Sequence, residues 1–458
     1  MAIIETGTSA VAALRARMNG RLVTPNEPGW DAARTGWQLT ADLQPHAVAF
    51  PVSEADVVAA VDYARAAGLR INTQGTGHNS TPLGDMSDTL LLRMNDWRGV
   101  MVDPVARIAR VRPGAIWDDV VQPAAEHGLA ALAGSSPDVG VVGYSLGGGI
   151  GWLARKHGLS SSSILSAQIV TADGEILRAD RETNADLFWA LRGGGGSFGI
   201  VTEVEIALFP VTEAYAGWLV WPMERAAEVL GAWAAWTKDA PEDVTSVGRM
   251  LQIPPIPEMP EPLRGRQLVV VEAALLGDEQ GGRELLRPLR DLEPELDTFA
   301  MVPAAALTQL HQDPPGPVPG SGEGWMLDAF DAAAAEEIVR AAAMDGTAPL
   351  ISVEVRHLEG RLGRPDPNGG VLSHFEAPYV MYSVGVAPVP AAVDATQGRI
   401  AAIRSAAAPW LSRSSYFNFA EGGVEGSSLY PAGAYERLSE IRGELDPDGV
   451  FRAKHAID

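Results

Sequence analysis

One histidine of this chain is set where its imidazole can meet a ligand at close range. His78 lies in the string QGTGHNS, Gln74 to Ser80, between Gly77 and Asn79 and just past the strand-like RINTQ. With only small neighbours, a neutral imidazole there approaches a ligand without steric shielding. No second histidine and no carboxylate stands at metal-ligand spacing from it, so no metal is expected. A second candidate is the phenol of Tyr416 in SYFNFAE, Ser415 to Glu421. Read as a strand, that string puts Tyr416 and Asn418 on one side and Phe417 and Phe419 on the other. A phenol beside a redox ring takes a proton when its pKa is lowered, and Tyr379 and Tyr382 in APYVMYSVGV offer the same chemistry. A third candidate is Ser145, because Gly143, Ser145 and Gly147 spell the nucleophile elbow of serine hydrolases behind an apolar VGVV read as a strand. His357, His374 or His455 would then complete a triad. The small residues of Ser145 to Gly151, however, suit the helix that must follow an elbow poorly.

The glycines speak to a ligand rather than to a nucleophile. QGTGHNS, DVGVVGYSLGGGIG (Asp138 to Gly151) and RGGGGSFGIV (Arg192 to Val201) all fall in the first half of the chain. Glycine permits positive φ and close backbone approach, so successive amides can converge on an anion. Three such clusters favour an extended anionic ligand. Gly194, Gly196 and Gly199 satisfy GxGxxG, but a helical ADLFWALR precedes them and a strand-like IVTEVEIALF follows. A dinucleotide fingerprint needs the reverse order.

The elements that must carry these strings are legible. Ser53 and Asp56 cap a helix that Gly68 ends, and the strand RINTQ then delivers the chain to the first glycine loop. VMVDPVARIARVRPG reads as a hairpin, as does SILSAQIVTADGEILRAD around Asp173–Gly174. A helix from Asn184 to Leu191 and a strand from Ile200 to Phe209 follow. Beyond Val211, strands near Leu219 and Leu268 alternate with Ala-rich helices such as Arg225 to Trp236. Asp313 to Gly324 and Gly360 to Gly370 are rich in breakers and read as loops.

Composition narrows the partners. The 458 residues are 46 % hydrophobic and 20 % charged, an ordinary globular balance, and the net charge of −23 repels phosphate backbones and anionic lipid surfaces. Neither nucleic acid nor a membrane is expected as a partner. Cysteine is absent, which removes disulfides, thiolate metal sites and thiol nucleophiles together. With no signal-peptide core at the N-terminus and no apolar run of membrane-spanning length, a cytoplasmic protein is expected.

Taken as a set, four strings resemble the flavin-dependent oxidases of the vanillyl alcohol oxidase superfamily, most closely the berberine bridge enzyme-like group with its hydroxynicotine and sugar oxidase relatives. They are PVSEADVVAAVDYARAAGLRINTQGTGHNS, AGSSPDVGVVGYSLGGGIGWLARKHGLSSSSILSAQIVTADGEIL, NADLFWALRGGGGSFGIVTEVEIALFPV, and YFNFAEGG with LDPDGVFR. The resemblance implies an α+β chain: a two-part PCMH-type FAD-binding domain (1–211), an α+β substrate domain with an antiparallel sheet (212–409), and a C-terminal segment (410–458) returning to the FAD domain. It implies FAD wrapped by Gln74, Gly75, Thr76, Gly77, Asn79 and Ser80, with His78 joined to the flavin's 8-methyl carbon. Ser136 stands where relatives carry a second, cysteine link, and a hydroxyl lacks the thiolate that would form it, so a single link is expected.

Further along, the resemblance assigns Pro137, Asp138, Val139, Gly140, Gly143, Ser145 and Gly148 to flavin-wrapping chain. Tyr144 takes the place of a histidine near the pyrimidine side and joins Tyr416, Tyr382 and Tyr379 as a catalytic candidate. A small residue such as Val139 accompanies oxygen access in relatives. Ile200 and Val201 match backbone contacts to adenine, and Asn418 matches an asparagine at the ribityl end, whereas Phe419 departs from the usual second tyrosine. The implied reaction takes hydride from an alcohol, sugar or amine carbon and returns hydrogen peroxide from oxygen. A dehydrogenase and an oxidative cyclase remain open alternatives, as do the substrate, for which Trp218, Trp221 and Trp325 offer stacking surfaces, and the oligomeric state.

Overall fold

The computed structural model describes residues 2–257, 261, 263–367, 369–455 and 457. Among them the strands form three sheets, each of which positions part of one cleft. The first holds β1 (Arg21–Val23), β2 (Ala47–Phe50), β3 (Arg70–Gln74) and β4 (Thr89–Arg93) in the order β1-β2-β4-β3. Helix Glu54–Ala67 crosses between β2 and β3; Ser53 Oγ accepts its Asp56 N–H, and Gly68 closes it in the left-handed conformation. Because β3 and β4 run parallel, the chain between them has to return along the sheet, and the first glycine loop lies on that return. The free side of β3 is covered from far along the sequence: Ile71 N donates to Val450 O and Arg452 N to Ile71 O, both at 2.7 Å.

The second sheet takes β5 (Val100–Asp103), β6 (Ile108–Val111), β7 (Ile164–Val170), β8 (Ile176–Ala179) and β9 (Ile200–Ala207) in the order β5-β6-β9-β7-β8, all antiparallel. Both expected hairpins are here. Helix Ala185–Leu191 precedes the third glycine cluster and β9 follows it, the order opposite to a dinucleotide fold.

The third sheet is antiparallel and longer. It consists of β10 (Glu213–Pro222), β11 (Val244–Gln252), β12 (Gln267–Leu275), β13 (Leu296–Asp297), β14 (Ala300–Pro303), β15 (Gly320–Leu327), β16 (Leu350–His357) and β17 (Tyr379–Val386), ordered β13-β10-β12-β11-β16-β17-β15 with β14 also on β10. Helices Ala226–Thr237, Ala332–Ala342 and Pro390–Ala406 bury one face in a core that includes Trp221, Trp233, Val271, Val355 and Met381. Alternation then turns Glu272, Arg249, Glu354, Arg356 and Tyr382 to the opposite face.

Three local expectations are corrected. The VGVV string is not a strand: Gly140 makes a lone bridge to Ile116 and the chain enters helix Val141–Leu146. The end of the Asp313–Gly324 stretch is not a loop but the start of β15. Its glycines serve space rather than turning, since a Cβ on Gly322 would lie 2.3 Å from the Tyr382 hydroxyl and one on Gly324 would lie 2.7 Å from Phe419 Cβ. SYFNFAE is a turn instead of a strand, closed by Phe419 N and Ala420 N donating to Tyr416 O. The Gly360–Gly370 stretch opens with a short 3-10 turn, Gly360–Gly363, and Asn368 within it lies outside the described residues. Among the described residues no helix is long and apolar enough to cross a membrane.

Candidate active site

The turn at Tyr416 brings distant strings to one point. Asn418 Nδ2 donates to Tyr144 O at 3.0 Å and to the Tyr416 hydroxyl at 3.1 Å, while Asn79 Nδ2 donates to Asn418 O at 2.7 Å. Gly149 N also donates to the Tyr416 oxygen, at 3.1 Å. Two N–H donors on one phenol oxygen favour the phenolate and leave the phenol's own hydrogen unspent. Burial nevertheless holds Tyr416 up at about 12, with Asn418, Gly149 and the charge of Arg356 pulling the other way. Tyr416 and Asn418 do meet, but through the turn, and Phe419 packs on Tyr416 with ring centroids 5.1 Å apart rather than facing away. Gly147 is required here because a Cβ would lie 2.1 Å from Asn418 Oδ1. Gly148, at φ +104°, lies beside the Tyr416 ring.

The first glycine loop is short of protein acceptors. Among the described residues, none takes the five N–H groups from Gly75 to Asn79, and both side-chain polar atoms of buried Gln74 lack a partner, as does Asn79 Oδ1. Ser80 instead spends its hydroxyl on Gly77 O. His78 stacks on Trp37, ring centroids 4.1 Å apart and planes 17° apart, with Nδ1 2.7 Å from Thr76 Oγ1 and Nε2 3.2 Å from Asp138 Oδ1. Asp138 also accepts from Ser136 Oγ and Trp37 Nε1, each at 2.8 Å. Burial works to raise this carboxyl, yet its hydrogen bonds, led by that from His78, hold it down at about 2.

The inner face of the third sheet makes the opposite wall. Cross-strand register aligns Gly324, Tyr382, Glu354 and Arg249 in one row. His311 lies on that face, its Nδ1 2.5 Å from Glu272 and its Nε2 2.7 Å from Glu354, while Arg249 binds Glu272 at 3.1 Å and Arg356 binds Glu354 at 2.7 Å. Arg356 also lies over the Phe419 ring at 5.1 Å. The Tyr382 hydroxyl donates to Glu421, and burial keeps this phenol well above its ordinary range.

Some candidates stand elsewhere. Tyr379 is three residues from Tyr382 on one strand, so parity puts it on the helix-covered face, where its hydroxyl meets Thr237 Oγ1 at 2.7 Å among Trp233 and Phe330. Ser145 is fully buried in its helix, its Oγ 2.9 Å from Ser160 Oγ, and among the described residues it hydrogen-bonds neither histidine nor carboxylate. That geometry is not an elbow. Ile200 and Val201 are buried where β9 pairs with Val170 and Ile169. Val139 packs partly buried against the core around Trp117, and Pro137 O and Val139 O accept from Asp118 N and Trp117 N. Gly143 is open, and a Cβ on Gly140 would lie 3.7 Å from Thr76 N. Tyr144 is wedged between Gly134 and Gly149 with an unpartnered hydroxyl, and burial raises it well above 10.

Comparison with known proteins assigns this geometry. The family described as FAD binding domain matches residues 45–180, and the one described as berberine and berberine like matches residues 415–458. (R)-6-hydroxynicotine oxidase of Paenarthrobacter nicotinovorans is 36 % identical over 205 residues, 44 % of this chain and 45 % of that protein. The uncharacterized FAD-linked oxidoreductase YvdP of Bacillus subtilis is 28 % identical across 96 % of this chain and 98 % of its own. The crystal structure of 6-hydroxy-D-nicotine oxidase from Arthrobacter nicotinovorans superposes with a TM-score of 0.84 at 25 % identity, covering 96 % and 98 % of the two chains. The chain thus spans about half the length of the first of these and nearly all of the other two. It carries an FAD binding domain match and a berberine-like match, and along nearly its whole length it is similar to FAD-linked oxidoreductases.

The residues of this chain fit an FAD. Five amides in succession without a protein acceptor among the described residues suit a pyrophosphate. The unpartnered Gln74 and Asn79 atoms, the Tyr144 hydroxyl and the buried Ser197 Oγ supply further donors and acceptors. Sequence reasoning missed Trp37, His311, Arg356, Glu421 and Lys454. Trp37 precedes every motif and Lys454 follows them. Lys454 Nζ nevertheless donates to Phe417 O at 2.7 Å, and burial drops its pKa to about 7. Only Arg356 and His311 carried a signal, as polar residues amid strand-like or breaker-rich strings.

Proposed function

We propose that this chain is an FAD-dependent oxidase that removes hydride from a carbon bearing a hydroxyl or amine on a small molecule and passes the electrons to oxygen, giving hydrogen peroxide. The observation that carries the reading is the run of free amides from Gly75 to Asn79 ending beside His78, with the Tyr416 oxygen held by two donors in the same cleft. On this reading residues 1–211 hold the FAD, 212–409 cover it, 410–458 complete its site, and the enzyme works in the cytoplasm. His78 carries the cofactor as a single covalent link.

Bound there, FAD supplies a two-electron acceptor that oxygen can regenerate. Every other role falls to the chain. The loop amides and Gln74 hold the cofactor's polar groups, and Ile200 and Val201 offer backbone to its adenine. Tyr416, in the phenolate form that Gly149 N and Asn418 Nδ2 support against burial, takes the proton from the substrate heteroatom as hydride leaves the adjacent carbon. Tyr144 and Tyr382 border the substrate, and the aromatic rings of Tyr382 and Phe419, 4.9 Å apart, offer it a flat surface. Tyr379 has no part in this.

The test is an anaerobic screen of alcohols, sugars and amines, the hydroxylated pyridine amine of the nicotine oxidase included, for loss of flavin colour in the purified protein. Bleaching by one class, followed by peroxide on admitting air, is expected. A protein free of flavin would overturn the reading, as would a flavoprotein that no donor bleaches. Bleaching without peroxide would make it a dehydrogenase instead.

A further inference from the structure

We propose that Asp138, backed by Trp37, is a positioning residue that fixes the tautomer and plane of His78 for attachment of the cofactor. The inference rests on the covalent reading above. His78 is held on three sides: Trp37 stacks on its face, Asp138 meets Nε2 and Thr76 meets Nδ1. The three holds differ in kind. Asp138 is tied by Ser136 Oγ and Trp37 Nε1 as well as by the ring, and Trp37 N donates to Thr76 O at 2.9 Å, so tryptophan, carboxylate and glycine loop form one unit. The Thr76 hydroxyl is a single rotor that can swing aside.

The tautomer follows from the carboxylate. Three donors keep Asp138 ionised, and an ionised carboxylate only accepts, so Nε2 carries the hydrogen and the lone pair stands on Nδ1. Attachment breaks one C–H of the flavin methyl group and forms an Nδ1–C bond; the proton and electron pair of that C–H, with a second proton from water, end on oxygen as hydrogen peroxide. Because the Nε2–H stays, the linked ring becomes a cation in a partly buried place. Asp138 is then its counter-ion, 3.2 Å away. The neutral side chains around it offer no such charge, which is why the carboxylate, and not merely a hydrogen-bond acceptor, is needed.

The experiment compares wild type, Asp138→Asn and Trp37→Phe for total flavin per chain and for flavin that stays on the polypeptide through acid precipitation, followed over time with added FAD in air. Asp138→Asn keeps the shape and removes the charge. It is expected to bind as much total flavin as wild type but to accumulate acid-stable flavin about 10- to 100-fold more slowly, the usual loss when a histidine's orienting partner is removed. Trp37→Phe keeps the stack and removes one donor to Asp138, and should slow linkage about fivefold, the worth of one ordinary hydrogen bond. It carries the test should Asp138→Asn not fold. Wild-type rates of linkage in the variants would overturn the inference while leaving the covalent reading intact. Acid-labile flavin in wild type would overturn both, and equal loss of total and acid-stable flavin would make Asp138 a structural residue only.

Discussion

The two walls of the cleft handle their polar atoms in opposite ways. On the glycine-loop side, five successive amides and both ends of the Gln74 amide find no partner among the described residues. On the sheet side, Arg249, Glu272, His311, Glu354 and Arg356 are as deeply placed, yet they spend their hydrogen bonds on one another. An unpaired buried polar group costs free energy, so a fold keeps one where something else is meant to pair with it. A closed ionic chain makes no such demand. It fixes a surface, and here it fixes the position of Arg356 over Phe419. The binding wall and the shaping wall are thus distinguished by what they leave unspent.

Variants can break this contrast. The largest effect belongs to Tyr416, which serves the reaction from between the walls: Tyr416→Phe should slow anaerobic bleaching about 10²- to 10⁴-fold, the usual worth of a placed acid–base group, with little change in bound flavin. Stopped-flow reduction measures it. On the shaping wall, Glu272→Gln leaves Glu354 alone to balance the buried charges of Arg249, His311 and Arg356 and should cost about 3–5 kcal/mol, seen as earlier unfolding in urea. On the binding wall the signs divide. Gln74→Leu should leave the flavin-free chain as stable as wild type or up to about 1–3 kcal/mol more so, because it removes unpaired groups, while lowering FAD retention. Losing stability there instead would erase the distinction.

The pattern was partly visible in the amino-acid order. Strand–helix–strand delivery of the first loop, both hairpins and the reversed GxGxxG are local matters of caps, turns and alternation, and they appear as read. Tyr379 could have been set aside by the same logic, since residues three apart on a strand face opposite ways. The SYFNFAE turn could not, because its alternation is set by what it packs against: Asn418 is held by Asn79 and Tyr144, and no neighbour in sequence says so. Nor could the ionic chain, which collects residues from β11, β12, β16 and the segment after Gln309. The breaker-rich Gly320–Gly324 misled for a related reason, Gly322 answering Tyr382 on β17 and Gly324 answering Phe419 in a distant turn.

Two smaller effects sharpen the comparison. His311 is pushed down by burial and by Arg249, but Glu272, Glu354 and Asp313 outweigh them and raise it to about 9. A raised folded-state pKa stabilises fully below the unfolded value of about 6.5 and is lost as pH climbs through about 9. Wild type should therefore lose more stability across that window than His311→Gln, a difference read from paired urea titrations. A slope unchanged by the substitution would show that the histidine is neutral there. Ser145→Ala should cost only about 1 kcal/mol, for one hydrogen bond to Ser160, and leave bleaching unaltered. Any collapse of activity would return that serine to the chemistry.

Asn79 and Asn418 are joined by a hydrogen bond across 339 positions, and Ile71 is paired with Val450 and Arg452 over a greater distance still. At translation speeds of roughly 5–20 residues per second, the histidine-bearing loop leaves the ribosome on the order of 20–70 s before the strand of chain that closes over it. For that interval the nascent protein exposes an incomplete cradle. Only the finished chain has the complete cradle.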